Sequence, residues 1–380
     1  MAGKRATRPN RGGGRVRYAV VGLGYIAQAA ILPAFAHARK NSQLTALVSD
    51  DDRKLRELSR RYRVPKTYSY ARYAECLESG EVDAVYLALP NFMHRDYAVA
   101  AAEHGVHVLC EKPLAVTEEE CEDMIRAAKD GGVRLMTAYR LHFEKGNLEA
   151  VRLAQSGKLG TPRYFQSLFT MQVKDAKNVR LESEERGGGP LYDIGIYCIN
   201  AARYLFRDEP VEVFAARATS GEKRFANVSE TAAAVLRFPG DRLAAFTCSF
   251  GAADVGWYQI VGSKGDLRMS PAYEYAEALE MEVTVEGRTR RRKFAKRDQF
   301  APELLAFSEA VRSGKDPEPS GIEGLADVRV IRALLRSADA GRPVSLPPFS
   351  RGERPGPKQE ISRPPVAMPE LVRAASPSGS

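Results

Sequence analysis

Residues 17–27 read as a short apolar strand, Tyr18 to Val21, then a glycine turn, Gly22-Leu23-Gly24, then a helix from about Tyr25. A backbone built this way receives a pyrophosphate: Gly22 permits the tight turn, Gly24 lets the phosphates approach, and the positive end of the helix faces them. The third position of the pattern is Ala27, which the fingerprint tolerates. Tyr25 and Ile26, at the helix start, fall beside the same turn. Three further stretches carry groups able to do chemistry: Pro90-Asn91 with His94 shortly after, the tripeptide Glu111-Lys112-Pro113, and Gly187-Gly188-Gly189-Pro190 leading into a helix over 191–206. On that helix Asp193 and Tyr197 stand four apart and share a face, while Ile194, Cys198, Ala201 and Leu205 line another. An apolar back with a carboxylate and a phenol in front suits a helix that packs on a sheet and aims polar groups at a cleft.

The elements around these groups explain how they could meet. From Val16 to about Arg140, short apolar runs alternate with amphipathic ones, which predicts βα units and a parallel sheet. The strands are 18–21, 44–48, 83–90, 106–110 and 133–138. Asp52 is the expected cap of the charged helix after the second strand, and Thr117 with Glu120 forms a capping box. Parallel strands bring their carboxyl ends to one edge, so Gly22–Gly24, Ser49–Asp50, Pro90–Asn91 and Glu111–Pro113 converge there. The second half changes character. Strand-like runs at 162–173, 211–220, 231–239, 242–252, 257–261 and 281–285, joined by turns, predict an antiparallel sheet, followed by helices at about 302–313 and 322–340 that pack back on the core.

Composition narrows the class. The 380 residues are 44% hydrophobic and 28% charged, enough for a two-domain core. No apolar run reaches 18 residues and no apolar leader precedes the first strand, so neither a membrane span nor an export signal is expected. Cys76, Cys110, Cys121, Cys198 and Cys248 are scattered without a paired motif, which points to reduced thiols and the cytoplasm. Of the formal net charge of +9, residues 1–17 carry +6 and residues 347–380 carry +2, so no basic groove for nucleic acid exists in the middle. The basic run 288–297 reads as a solvated edge. His104 and His107 lack further ligands nearby, and no metal site is expected.

Taken in order, the glycine turn, Pro90-Asn91 with His94, Glu111-Lys112-Pro113, and Gly187–Gly189 followed by Asp193 and Tyr197 resemble the Gfo/Idh/MocA oxidoreductase family, and within it the glucose-fructose oxidoreductase branch. The similarity runs over about residues 16–346. It implies an α/β chain: an N-terminal Rossmann domain at 16–140, then an α+β domain at 141–346 with a mostly antiparallel open sheet that supplies the substrate wall and an oligomer interface. A disordered basic arm at 1–15 and a disordered tail at 347–380 flank them. By the same resemblance the chain is an enzyme with Lys112, Asp193 and Tyr197 catalytic. Moving a hydride from a carbinol carbon to nicotinamide needs a base for the hydroxyl proton and a cation at the oxygen. Lys112 is the cation, Tyr197 the acid or base, and Asp193 orients the sugar hydroxyls or the lysine.

The cofactor groups are Gly22, Gly24, Tyr25, Ile26, Ala27, Ser49, Asp50, Arg53, Lys54, Pro90, Asn91, His94, Glu111, Lys112 and Arg180. Asp50 at the second strand end favours NAD, because a carboxylate repels a 2′-phosphate, whereas Ser49, Arg53 and Lys54 favour NADP and tip the balance to it. Val179 stands where relatives often carry Trp, leaving Arg180 as the contact at that place. The expected activity is hydride transfer between nicotinamide and a sugar or cyclic polyol, by a homo-oligomer (dimer or tetramer). A dihydrodiol or aldose dehydrogenase of the same family and a non-catalytic NADP-binding regulator are the alternatives.

Overall fold

The computed structural model describes residues 14–351 and 353–378, so the basic arm at 1–15 falls almost wholly outside the described residues. Two sheets organise the chain. The first is wholly parallel, with strands β1 (Val16–Val21), β2 (Ser42–Val48), β3 (Lys66–Tyr68), β4 (Ala84–Leu87), β5 (His107–Glu111) and β6 (Leu135–Ala138) in the order β3-β2-β1-β4-β5-β6. That order reverses between β1 and β4, the switch point where such sheets bind ligands. β4 is buried at every position, as a strand covered on both faces must be.

Between these strands run a π-helical turn (Ala27–Ile31) continuing into α1 (Leu32–Ala34), then α2 (Asp52–Tyr62), α3 (Tyr73–Glu78), α4 (His94–Glu103) and α5 (Glu118–Asp130). The cap of α2 is Asp51 and not Asp52: its Oδ1 accepts from the backbone N–H groups of Arg53 and Lys54, each at 3.1 Å. With two adjacent aspartates, the residue holding extended backbone becomes the cap. Thr117 and Glu120 form the capping box of α5.

After α6 (Lys145–Gln155) the chain enters a nine-stranded sheet: β7 (Pro162–Thr170), β8 (Glu212–Ala218), β9 (Thr231–Phe238), β10 (Arg242–Ser249), β11 (Val255–Gly262), β12 (Gly265–Met269), β13 (Leu279–Val285), β14 (Arg288–Phe294) and β15 (Val344–Ser345). Its order is β14-β13-β12-β11-β7-β10-β9-β8-β15, antiparallel except for the β7–β10 pair. Alternation along β9 buries Ala232, Ala234, Leu236 and Phe238 and exposes Ala233, Val235 and Arg237, as one-faced packing requires. On the buried face lies α7 (Ile196–Phe206), entered through a second π-helical turn, Leu191–Gly195. The basic run becomes the exposed edge strand β14, where Arg291 pairs with Glu282 and Lys293 with Glu280, charges that discourage pairing with another chain.

The late helices α8 (Ala301–Ser313) and α9 (Gly321–Ala340) return to the first domain. α8 packs on β1 and β2, and α9 lies against α5, β6 and β8. Phe300, Leu304 and Phe307 share a core with Tyr18, Val20 and Ile31.

Residues 347–380, expected as a disordered tail, instead run back over the molecule as far as they are described. Arg351 pairs with the buried Glu323, Arg354 Nη2 donates to Glu209 Oε1 at 2.9 Å, and Val372 is buried. A polar, proline-rich composition hides the fact that these arginines meet carboxylates already withdrawn from water.

Candidate active site

The carboxyl ends of β1, β4, β5 and β6 open on a cleft of about 720 Å³, walled on its other side by the second domain. At its base Gly22 adopts φ +91°, and a Cβ there would stand 2.4 Å from the Ala88 carbonyl oxygen, so only glycine lets β1 turn this close to β4. A Cβ on Gly24 would meet nothing within 4 Å, so the backbone is open to a ligand. This pair lines the cleft with Tyr25, Ile26, Ser49, Lys54, Pro90, Asn91, Glu111 and Arg180. A narrow glycine turn at a helix start, a lysine beyond β2 and an open groove fit a dinucleotide.

Four expected cofactor groups do not line the cleft. Ala27 faces the core of the first domain, fully buried. The Asp50 carboxylate accepts the Tyr70 backbone N–H at 2.7 Å and is thereby turned to the β3 side. Arg53 points outward from α2 and pairs with Glu57 one turn on, at 2.7 Å. His94 is wholly buried, its ring nitrogens 3.0 Å from the Leu89 carbonyl oxygen and 2.9 Å from that of Pro113. It braces the loop that carries Lys112, and burial lowers its imidazole from the ordinary value.

The three expected catalytic groups do meet. Lys112, following β5, donates from Nζ to the Asp193 backbone oxygen at 2.7 Å and to Asp193 Oδ1 at 2.9 Å. The other carboxylate oxygen accepts from Arg180 Nε at 2.6 Å. Burial alone would raise the Asp193 carboxyl, but Arg180 and Lys112 overcome it and hold the group well below the usual carboxylate range. Lys112 is the mirror case: burial pulls its ammonium down, and the Asp193 charge more than restores it, so it stays protonated. Tyr197 lies one turn beyond Asp193 with its ring face 5.0 Å from Lys112 Nζ. The glycine run sets this helix: a Cβ on Gly187 would sit 2.7 Å from that of Asn91, whose side-chain amide donates to the Gly187 carbonyl at 2.7 Å, joining the two domains.

Sequence reasoning missed Arg140. Its guanidinium is buried, lies 5.1 Å from the Tyr197 ring and 5.4 Å from that of Tyr275, and is held by Gln299 Oε1 and the Tyr273 carbonyl. A signal existed: Arg140 follows the end of β6 as Lys112 follows that of β5. Phe169, Tyr273 and Tyr275 also line the cleft, brought there by the second sheet and the chain after it. Below the floor, Tyr86 donates to Glu111 Oε1 at 2.9 Å. Glu303, on α8, is wholly buried, and both its carboxyl oxygens lack partners among the described residues; burial, reinforced by the Glu111 charge, drives its carboxyl far above the ordinary range.

Comparison with known proteins agrees with this geometry. Residues 16–139 match the oxidoreductase family with an NAD-binding Rossmann fold, and residues 147–268 match the GFO/IDH/MocA C-terminal domain. A D-xylose 1-dehydrogenase [NADP(+)] from Haloarcula marismortui is 31% identical over 337 residues, covering 87% of this chain and 93% of that protein. Among solved structures, the aldose-aldose oxidoreductase from Caulobacter crescentus, complexed with glycerol, superposes with a TM-score of 0.83 at 37% identity, covering 87% of this chain and 100% of that one. A 3-ketoreductase from Actinomadura kijaniata, in complex with NADP and TDP-benzene, superposes with a TM-score of 0.78 at 26% identity, covering 85% of this chain and 98% of that one. A chain with this parallel sheet, this glycine turn and both matching domains belongs to the Gfo/Idh/MocA family of NAD(P)-dependent oxidoreductases.

Proposed function

We propose that this enzyme moves a hydride between nicotinamide and the carbinol carbon of an aldose or related cyclic polyol, with NADP the preferred cofactor. One observation carries the reading: Lys112, Asp193 and Tyr197 open on the same cleft as the Gly22–Gly24 turn. The bound nicotinamide supplies the hydride acceptor or donor, and this chain's residues supply the rest. Lys112 commits two donors to Asp193 and keeps its third N–H for the substrate oxygen, steadying that oxygen as its charge changes. Tyr197 takes the hydroxyl proton as the carbon loses its hydride, and returns it in reduction. Asp193, locked between Lys112 and Arg180, fixes the lysine rather than the sugar.

The NADP preference rests on Lys54 and Ser49, which line the cleft, against Asp50, which does not line it and whose Oδ1 accepts the Tyr70 N–H. The sugar assignment is supported by the relatives' own substrates as named. Homo-oligomerisation is supported by Phe214, Val235 and Leu243, large apolar side chains exposed on the outer face of the second sheet. A cytoplasmic setting is supported by five buried, unpaired thiols.

The test is reduction of NADP by a panel of aldoses and polyols, followed by absorbance. Tyr197→Phe should lower the rate by about 10²-fold or more while nucleotide still binds. A variant that turns over sugars at the parent rate would remove Tyr197 from the chemistry, and a parent protein inert on every sugar while oxidising non-sugar alcohols would overturn the substrate class.

A further inference from the structure

The cleft has a wall that comes from neither sheet. Ser376, Pro377 and Ser378 line it together with the glycine turn and Lys112. Their approach is fixed at three places. Gln28 lies in the helical turn that follows the glycines and is wholly buried. Its amide donates to the Val372 carbonyl at 3.0 Å and accepts the Val372 N–H at 2.7 Å, a clasp closed on both sides. A second donation to the Leu23 carbonyl, at 2.9 Å, ties the clasp to the glycine turn itself. Removing the segment would leave the Gln28 side-chain oxygen buried without its donor, a cost that buried amides rarely bear. Next, Arg373 turns the chain at φ +46° and pairs with Asp51, the cap of α2, at 3.3 Å. Finally, the Pro377 carbonyl accepts the backbone N–H of Lys174, which follows β7 in the second domain, at 3.4 Å.

We infer that residues 373–378 are part of the cofactor site: a strap anchored beside the phosphate-binding turn, passing the β2 end and fastened to the second domain, so that a bound dinucleotide is enclosed and leaves only when the strap lifts. The side chains it offers suit such a ligand. Ser376 and Ser378 bring hydroxyls, 3.1 Å apart, to the cleft, while Arg373, outside the cleft lining, ties the strap to Asp51 just past the end of β2. The inference goes beyond the substrate reading and does not depend on it, because nucleotide release is measured with no sugar present.

The experiment loads the full chain with NADPH, mixes it with a large excess of NADP, and follows the loss of protein-bound NADPH fluorescence. A chain ending at Val372 keeps the Gln28 clasp and loses the strap. It should release NADPH about tenfold faster or more, with Arg373→Ala shifting the rate in the same direction by a smaller factor. Release within twofold of the parent by a truncated chain with an unchanged melting temperature would overturn the inference. So would tighter NADP binding after truncation, which would make the segment a plug for the empty groove. Should truncation impair folding, trypsin on the full chain decides: saturating NADP should slow cleavage after Arg373 selectively, and equal cleavage with and without nucleotide would sink the strap.

Discussion

Asp193 and Glu323 are both carboxylates held between two cations, yet the surroundings differ. Asp193 sits between Lys112 and Arg180 at the cleft, with side-chain exposures of 17%, 11% and 26%. Glu323 sits between Arg203 and Arg351, with 0%, 0% and 3%. In the second cluster the Arg203 donors are consumed: Nε by Glu209, Nη2 by Glu209 and Glu323, Nη1 by Glu323 and Asp327. Nothing is left over for a ligand, so the cluster joins α7, α9 and the C-terminal segment. In the first, the donors are partly spent and the remainder faces the groove. The comparison teaches that buried charge saturated from all sides is closed to a ligand, whereas a cluster with one open side keeps donors to offer one.

Exchanging one cation in each cluster should separate the two roles. Lys112→Met is expected to cost about 10³-fold in turnover, since it removes the cation proposed for the reacting oxygen, with nucleotide binding retained and only a small change in the urea midpoint. Arg203→Met should do the reverse, lowering unfolding free energy by about 3–5 kcal/mol by leaving the buried Asp327 without its cation and Glu209 and Glu323 with one cation each, Arg354 and Arg351, while activity per folded molecule persists. A catalytic defect in Arg203→Met without a stability loss would break the comparison.

A smaller effect sharpens it through pH. The Asp193 carboxyl is lower in the folded state than its ordinary 3.8. Its contribution to stability is therefore present above that value and lost as pH falls through the folded one. Asp193→Asn should be destabilising at neutral pH, and the gap to the parent should narrow on acidification below about pH 4. The Glu303 carboxyl is raised well above its ordinary 4.5, so the folded state holds its proton more firmly and stability drops as pH climbs past that value. Glu303→Gln should thus gain on the parent as pH rises, measured by chemical denaturation across pH 4 to 8. Parallel pH curves for Glu303→Gln and parent would remove Glu303 as a buried acid.

Much of the candidate site was legible because the cleft is lined by residues at strand ends. An apolar run followed by Gly22-Leu23-Gly24 or by Glu111-Lys112-Pro113 declares both the element and its exit edge, and the parallel sheet collects such exits. Side-chain direction was not legible. Asp50 and Arg53 have the right place in the chain, but one is bound by the Tyr70 N–H and the other by Glu57. His94 reads as a site imidazole until its burial between two backbone carbonyls is seen. Short strands such as β3 and β12 escaped because three to five residues give too little alternation. The closing segment was misread as disordered for a related reason: composition counts charges and prolines, whereas Arg351, Arg354 and Val372 are held by partners far away in sequence.

The return of α8 to β1 and β2 has a consequence for synthesis. When residue 140 leaves the ribosome, all six strands of the first sheet exist, but Tyr18, Val20 and Ile31 still lack Phe300, Leu304 and Phe307. Part of one face of the sheet therefore stays uncovered until more than 160 further residues have been added, although Ile31, Leu55 and Leu58 already pack on it. The first half of the chain must wait for the second, a long-range closure that slows folding and leaves the nascent apolar face to be shielded by chaperones.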